Sequence, residues 1–296
     1  MKQTADELVA AIRSHSELPA RDETVRTQQE YFYPSTWRAH WPQCLPVPPT
    51  LADVQPGTHK KRTVTREDIF TRANSVETEL DALDLYVLMC GWGAGWQGLT
   101  GWRSRRPLAM PGVASALLRS HSEIRNGADP VKAYQRLLNG ENRIKYFGPA
   151  FFTKWLYFSG YESAPASGLR PLILDSRVAA TLGWPSYGWA SEQYGQYLRL
   201  AHEAAVRLDS TPHAVEHALY ILRGNQVVGA DEPDSTTITI PDLPDHVLAA
   251  LRQLADSRGQ VLEELVQDLL AEAVHRPLDD PEDGHRGTPA PGSSDT

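Results

Sequence analysis

Cysteine is scarce, with only Cys44 and Cys90 in 296 residues. That excludes a disulfide framework and leaves no zinc-ligand set. No metal or cofactor is expected, and a reducing cytoplasm fits. Long hydrophobic runs are missing too. No apolar stretch approaches the roughly 18 residues of a membrane span. The N-terminal stretch 1–18 is amphipathic and acidic and has no signal-peptide core. Positive charge is in deficit, with 29 Lys and Arg against 37 Asp and Glu and a net charge of −8. Such a balance argues against a protein that coats DNA generally, although a local basic site remains open. Convincing period-two alternation is absent from residues 1–225, so no sheet is expected there.

What is present is an ordinary globular composition, 41% hydrophobic and 22% charged. The length allows one large or two smaller domains with a sizeable core. Residues 1–223 read as one all-α domain and 224–235 as a linker. Residues 236–276 read as a small strand–helix–helix module, and 277–296 as a disordered tail rich in Pro, Gly, Asp and Ser. Within the first domain, residues 4–15 suit a short helix. The aromatic, proline-rich stretch 31–50 cannot form a long helix and is expected to wrap the surface. Basic residues gather at Lys60, Lys61, Arg62, Arg66 and Arg72. Thr65 and Asp68 mark a helix start with a capping pair. Residues 80–90 suit a buried helix ended by the glycines of GWGAGWQG. A basic loop with Arg103, Arg105 and Arg106 is expected to follow. Asp129-Pro130 opens a helix that runs to about Leu138 and is ended by Asn139-Gly140. Further helices are expected over about 149–159, 176–182, 190–208 and 212–223.

The segment 144–154, IKYFGPAFFTK, and the segment 172–178, LILDSRV, carry the chemistry. The first is a tight hairpin ending in Gly148-Pro149, followed by a helix with Lys154 among Phe151, Phe152, Trp155 and Phe158. A lysine in such low-dielectric surroundings has its pKa depressed by desolvation, which frees the amine as a nucleophile. The alternative is a lysine whose stem covers apolar surface while its head reaches water. Asp175 stands just before a helix beginning at Ser176, where it suits an N-cap.

These two segments resemble the helix-hairpin-helix glycosylase superfamily, in particular its 8-oxoguanine DNA glycosylase branch, over roughly residues 60–225. The resemblance implies that Lys154 attacks the sugar C1′ and forms a Schiff base. It also implies that Asp175 both caps its helix and stabilises charge at the reacting sugar. The family hairpin usually has two glycines, and here Lys145 and Tyr146 stand at the first. Measured from Gly148, Lys154 lies about one helical turn further along than in the eukaryotic-type enzymes, which keeps it on the same face. The archaeal-type branch is the closer analogue.

Lys145, Gly148 and Arg177 are expected to contact DNA, with the start of the second helix offering N–H donors to a phosphate. Arg103, Arg105 and Arg106 lie beside Trp92, Trp96 and Trp102, a combination suited to phosphate contact and stacking. Equally, the tryptophans suit a core and the arginines a solvated face. Phe147 and Tyr146 are expected to pack the hairpin.

The module at 235–275 resembles a ribbon-helix-helix domain, which implies that two chains pair their strands and interlock their helices. Ile238 and Ile240 would face that core, and Thr237 and Thr239 would face outward. Residues 231–276 contain ten acids and three arginines, a balance of −7. Because phosphate attraction dominates DNA affinity, dimerisation is favoured over DNA reading, with packing in cis as the other arrangement. The expected protein is therefore mainly α, a helix-hairpin-helix glycosylase-like domain followed by a ribbon-helix-helix module. Its expected function is that of a DNA glycosylase with AP lyase activity on 8-oxoguanine or a related base. It is expected to be a homodimer acting on damaged duplex DNA in the nucleoid, with no membrane. The alternatives are a regulatory DNA-binding protein with an inactive glycosylase-like fold, or a scaffold dimer in a bacterial defence or repair cluster.

Overall fold

The computed structural model describes residues 4–15, 18–55, 60–94, 98–163, 165, 167–222, and positions 247, 249–251, 253 and 254. The chain divides into two compact units, 1–240 and 241–296. In the second unit the six described positions are helical. The strand expected at 236–241, most of the two helices after it, and the tail lie outside the described residues.

The first unit is mainly α. Its helices are α1 (Ala5–Arg13), α2 (Asp22–Arg26), α3 (Pro34–Ala39), α4 (Pro49–Ala52), α5 (Arg66–Ala73), α6 (Glu79–Ala94) and α7 (Gly98–Arg105). They continue with α8 (Val113–Arg125), α9 (Pro130–Asn139), α10 (Pro149–Gly160), α11 (Ser176–Thr181), α12 (Ser191–Arg207) and α13 (Pro212–Leu222). Local chemistry sets many of the starts. Thr65 and Asp68 form a full capping box at α5. The Asp129 carboxylate accepts from the amides of Val131 and Lys132 at α9, with Pro130 as the first helical residue. α10 is the central helix, with Phe152, Trp155, Leu156, Tyr157 and Phe158 all buried. It packs against α5, α6, α8 and α9.

Four expectations need correction. First, a two-stranded antiparallel ribbon is present, β1 (Gln29–Phe32) and β2 (Arg62–Thr65), pairing Gln29 with Thr65 and Phe32 with Arg62. Four residues per strand are too few for alternation to stand out in sequence. Second, residues 31–50 do more than wrap the surface, because Phe32, Trp37 and Trp41 are core residues. Third, α6 runs through Gly91 and Gly93 to Ala94. A Cβ at Gly91 would lie 2.6 Å from the Phe32 ring. These glycines admit close neighbours instead of ending the helix. Fourth, Arg103 and Arg105 lie on α7, and Arg106 opens a short 3₁₀ turn, Arg106–Ala109, so this stretch is helical rather than a loop. Helix α8 had no counterpart in the sequence reading. Its buried Val113, Ala116, Leu117, Ser120, His121 and Ile124 follow the i, i+3, i+4, i+7 spacing that would have revealed it.

Candidate active site

Lys154 projects from the second turn of α10 and is 7% exposed. Its Nζ donates to the Ala150 carbonyl at 3.0 Å and to Asp175 Oδ2 at 3.3 Å. Asp175 divides its two oxygens between two tasks. Oδ1 accepts from the amides of Arg177 and Val178 at 3.1 and 3.2 Å and caps α11. Oδ2 faces the lysine. Burial pushes the Asp175 carboxyl up, but the Lys154 ammonium and the two amides outweigh it and hold it below the ordinary carboxylate value.

One residue earlier on each segment, a hydroxyl fixes the spacing. Thr153 Oγ1 shares its single proton between the Pro149 carbonyl at 2.8 Å and the Leu174 carbonyl at 3.1 Å. It also accepts from the Leu174 amide at 3.0 Å. This clasp joins α10 to the extended segment that leads into Asp175. On the opposite side, Gly93 lies against the lysine stem. A Cβ there would sit 2.7 Å from Lys154 Cδ and 2.9 Å from Cε.

Lys154 and Asp175 line a cavity of about 400 Å³ with Gln28, Glu30, Tyr31, Arg66, Trp92, Arg177, Glu216 and Tyr220. The volume lies within the range of small-molecule pockets, about 300–1,000 Å³. Three cations (Lys154, Arg66, Arg177) meet three carboxylates (Asp175, Glu216, Glu30) in its lining. Arg66 and Glu216 are both 1% exposed and pair at 2.7 Å. Arg66 also donates to Tyr157 Oη at 3.1 Å and to Gln28 Oε1 at 2.9 Å. Because a guanidinium can only donate, the Gln28 carboxamide oxygen must face it, which leaves the amide NH₂ as the Gln28 donor. Burial raises the carboxyl of Glu216 in spite of Arg66, and likewise that of Glu30 in spite of Arg177. Trp92 donates its indole N–H to the Gln28 carbonyl at 3.2 Å. Arg177 donates to Tyr220 Oη at 2.7 Å, with its guanidinium over that ring. Among the described residues no cluster of three His, Cys, Asp or Glu side chains could hold a metal ion.

The structure thus brings Lys154, Asp175, Arg177 and Trp92 into one cavity. Gly148 is the N-cap of α10, in extended conformation, and a Cβ there would meet nothing within 4 Å. Lys145 and Arg106 form a separate cluster at the hairpin, where both stand over the ring of Tyr146. Phe147 is buried, as expected, whereas Tyr146 is 38% exposed and does not pack inward. Arg103 is exposed and Arg105 half-buried, and neither lines the cavity. Trp102 is half-buried, with the Arg106 guanidinium over its ring. Trp96 lies outside the described residues. The sequence reading missed Gln28, Glu30, Tyr31, Glu216 and Tyr220, none of which belongs to a local pattern. Gly93, a glycine inside a helical stretch, did carry a signal of close approach.

Among curated proteins and solved structures, none matches the chain. Residues 236–274 match the family model described as "Antitoxin FitA-like, ribbon-helix-helix". Residues 23–220, about two thirds of the chain, match the model described as "Putative 8-oxoguanine DNA glycosylase OGG-like protein". That match spans both segments of the lysine–aspartate pair and every residue that lines the cavity, and the chain belongs to this OGG-like family.

Proposed function

We propose that the chain is a DNA glycosylase with lyase activity that excises 8-oxoguanine or a related damaged base from duplex DNA through a Schiff base on Lys154. The observation that carries this reading is a buried lysine 3.3 Å from a carboxylate at the wall of a base-sized cavity. A flipped base entering that cavity meets an aromatic wall, Trp92 and Tyr31, with Gln28 and Glu30 available to its polar edge. Asp175 Oδ2 is positioned to take the ammonium proton. The freed amine then forms the N–C1′ bond as the glycosidic bond breaks, and the bonding pair leaves with the base, which takes up a proton. Opening of the sugar ring gives the iminium. Loss of a C2′ proton expels the 3′ phosphate, and water then hydrolyses the iminium and returns the lysine. Passing the ammonium proton on to the departing base returns Asp175 to its anionic form, which stabilises positive charge developing at the sugar.

Arg177 at the cavity would meet the phosphate flanking the flipped nucleotide. The amides at the start of α10, beside Gly148, would meet a second. Lys145, Arg106, Arg103 and Arg105 supply the positive face along the duplex. The glycosylase-like domain ends near residue 223, and the module at 236–276 pairs two chains into a homodimer. The setting is the cytoplasm, in association with the nucleoid.

Borohydride trapping is the test. Wild type should crosslink to duplex DNA containing 8-oxoguanine or an abasic site, and Lys154→Gln should abolish the adduct. An undiminished adduct in that variant rejects the assignment. The antitoxin-like match at 236–274 favours a second reading, a regulator with an inactive glycosylase-like fold. Sequence-specific binding to undamaged DNA, with no adduct on any damaged base, would select it.

A further inference from the structure

Tyr146 holds a backbone conformation that its side chain disfavours. Its φ is +69°, in the left-handed region where a Cβ is strained and glycine is not. It lies within the turn closed by the Phe147 amide on the Ile144 carbonyl at 3.1 Å. Ile144 and Phe147 point into the core, while Tyr146 is 38% exposed, so core packing does not account for it. Strain of this kind persists where the side chain has a use.

The surroundings of the ring indicate that use. The Arg106 guanidinium stands 3.5 Å from the ring centroid, and the Lys145 ammonium 5.0 Å from it. The Arg106 guanidinium also lies over the ring of Trp102, 5.0 Å from its centroid. Two cations from separate elements, the turn after α7 and the turn before α10, therefore converge on one aromatic ring. Among the described residues no carboxylate pairs with either of them, whereas Arg26, Arg66, Arg72, Arg136 and Arg207 are all in ion pairs. The ring quadrupole offsets their mutual repulsion. Lys145 and Arg106 also hold the Tyr146 phenol below its ordinary value, the hydrogen bond from Lys145 being the larger cause.

We infer that Tyr146 is a positioning residue that fixes Lys145 and Arg106 as a two-cation clamp for one backbone phosphodiester of duplex DNA. The inference rests on the proposal that the chain binds DNA, but not on the base it excises or on the lysine chemistry. The aromatic ring does the work, and left-handed backbone is its cost.

The test is equilibrium binding of the full chain to a duplex carrying a stable abasic analogue, over a salt series, with Tm measured alongside. Tyr146→Gly should weaken binding about tenfold and reduce the salt slope by about one, as loss of one phosphate contact does. Its Tm should hold or rise by about 2–4 °C, because strain is relieved. Tyr146→Phe keeps the ring and should bind within about threefold of wild type. Wild-type affinity in the glycine variant overturns the inference. So does a phenylalanine variant as weak as the glycine one, or a glycine variant with lowered Tm, which would make the ring a packing element. Wild type that fails to bind the duplex overturns both this clamp and the DNA reading. Wild type that binds but forms no borohydride adduct overturns the glycosylase reading alone.

Discussion

Replacing Gly93 by alanine should separate stability from chemistry. The new methyl would sit 2.7 Å from Lys154 Cδ and 2.9 Å from Cε, where ordinary contact begins at 3.4 Å. The lysine stem is flexible, so the fold can accommodate the methyl by moving the stem. The amine at its end cannot move without leaving the Ala150 carbonyl and Asp175 Oδ2. A displacement approaching 1 Å at a reacting group costs about 10²-fold in rate. Against this, alanine in a helix interior is more favourable than glycine by about 0.5–1 kcal/mol. Gly93→Ala should therefore form the borohydride adduct on abasic DNA about two orders of magnitude more slowly, with an unchanged or slightly higher Tm. Gly91→Ala is the control. Its methyl would meet the rigid, fully buried Phe32 ring at 2.6 Å, an overpacking that costs about 1–3 kcal/mol. That variant should lose stability while its surviving folded fraction keeps its chemistry. Adduct formation at the wild-type rate in Gly93→Ala would refute the argument that moving the lysine stem carries the amine away from Ala150 and Asp175.

Asp175→Asn keeps an effective N-cap but removes the charge. It should bind abasic DNA normally and turn over at least about 10²-fold more slowly, and turnover at the wild-type rate would leave Asp175 a structural cap only. Burial holds His121, His213 and His217 at about 4, in His213 against the pull of neighbouring Asp22. An unfolded chain binds protons near the ordinary value of 6.5 that the folded chain refuses until about 4. Stability should thus be greatest above pH 6.5 and fall as pH drops towards 4. Thermal melts that stay flat between pH 6.5 and 4.5 would contradict this. The full chain should be a dimer by light scattering, and a chain truncated near residue 230 a monomer with unimpaired adduct formation. Monomeric full-length protein rejects the pairing.

Features set by neighbours in sequence were legible from it. The Thr65–Asp68 capping box, Asp129-Pro130 and the Asp175 cap need only three or four adjacent residues. Lys154 and Asp175 were legible as a pair because each sits in its own recognisable segment. The rest depends on partners remote in the chain. Gly91 and Gly93 read as a helix stop until Phe32 and the Lys154 stem are seen lying against them. Arg66 read only as one of a run of basic residues because Glu216, its buried partner, stands 150 residues away. Tyr146 read as packing because its left-handed backbone is invisible in composition. The β1–β2 ribbon supplies Glu30 and Tyr31, but its strands are too short to announce themselves.

The clasp between Thr153 and Leu174 has a consequence for how this site can vary over generations. Thr153 and Leu174 lie 21 positions apart, and so do Lys154 and Asp175. The lysine–aspartate pair is thus one rung of a short ladder whose neighbouring rung is a hydroxyl bonded to backbone. Between the two rails runs the stretch of chain 161–171, whose length enters neither rung. Residues can be gained or lost there at an entropic cost that grows only with the logarithm of loop length. The separation of amine and carboxylate would not change. A lineage can therefore remodel this stretch while the lysine–aspartate spacing stays under the control of a single threonine.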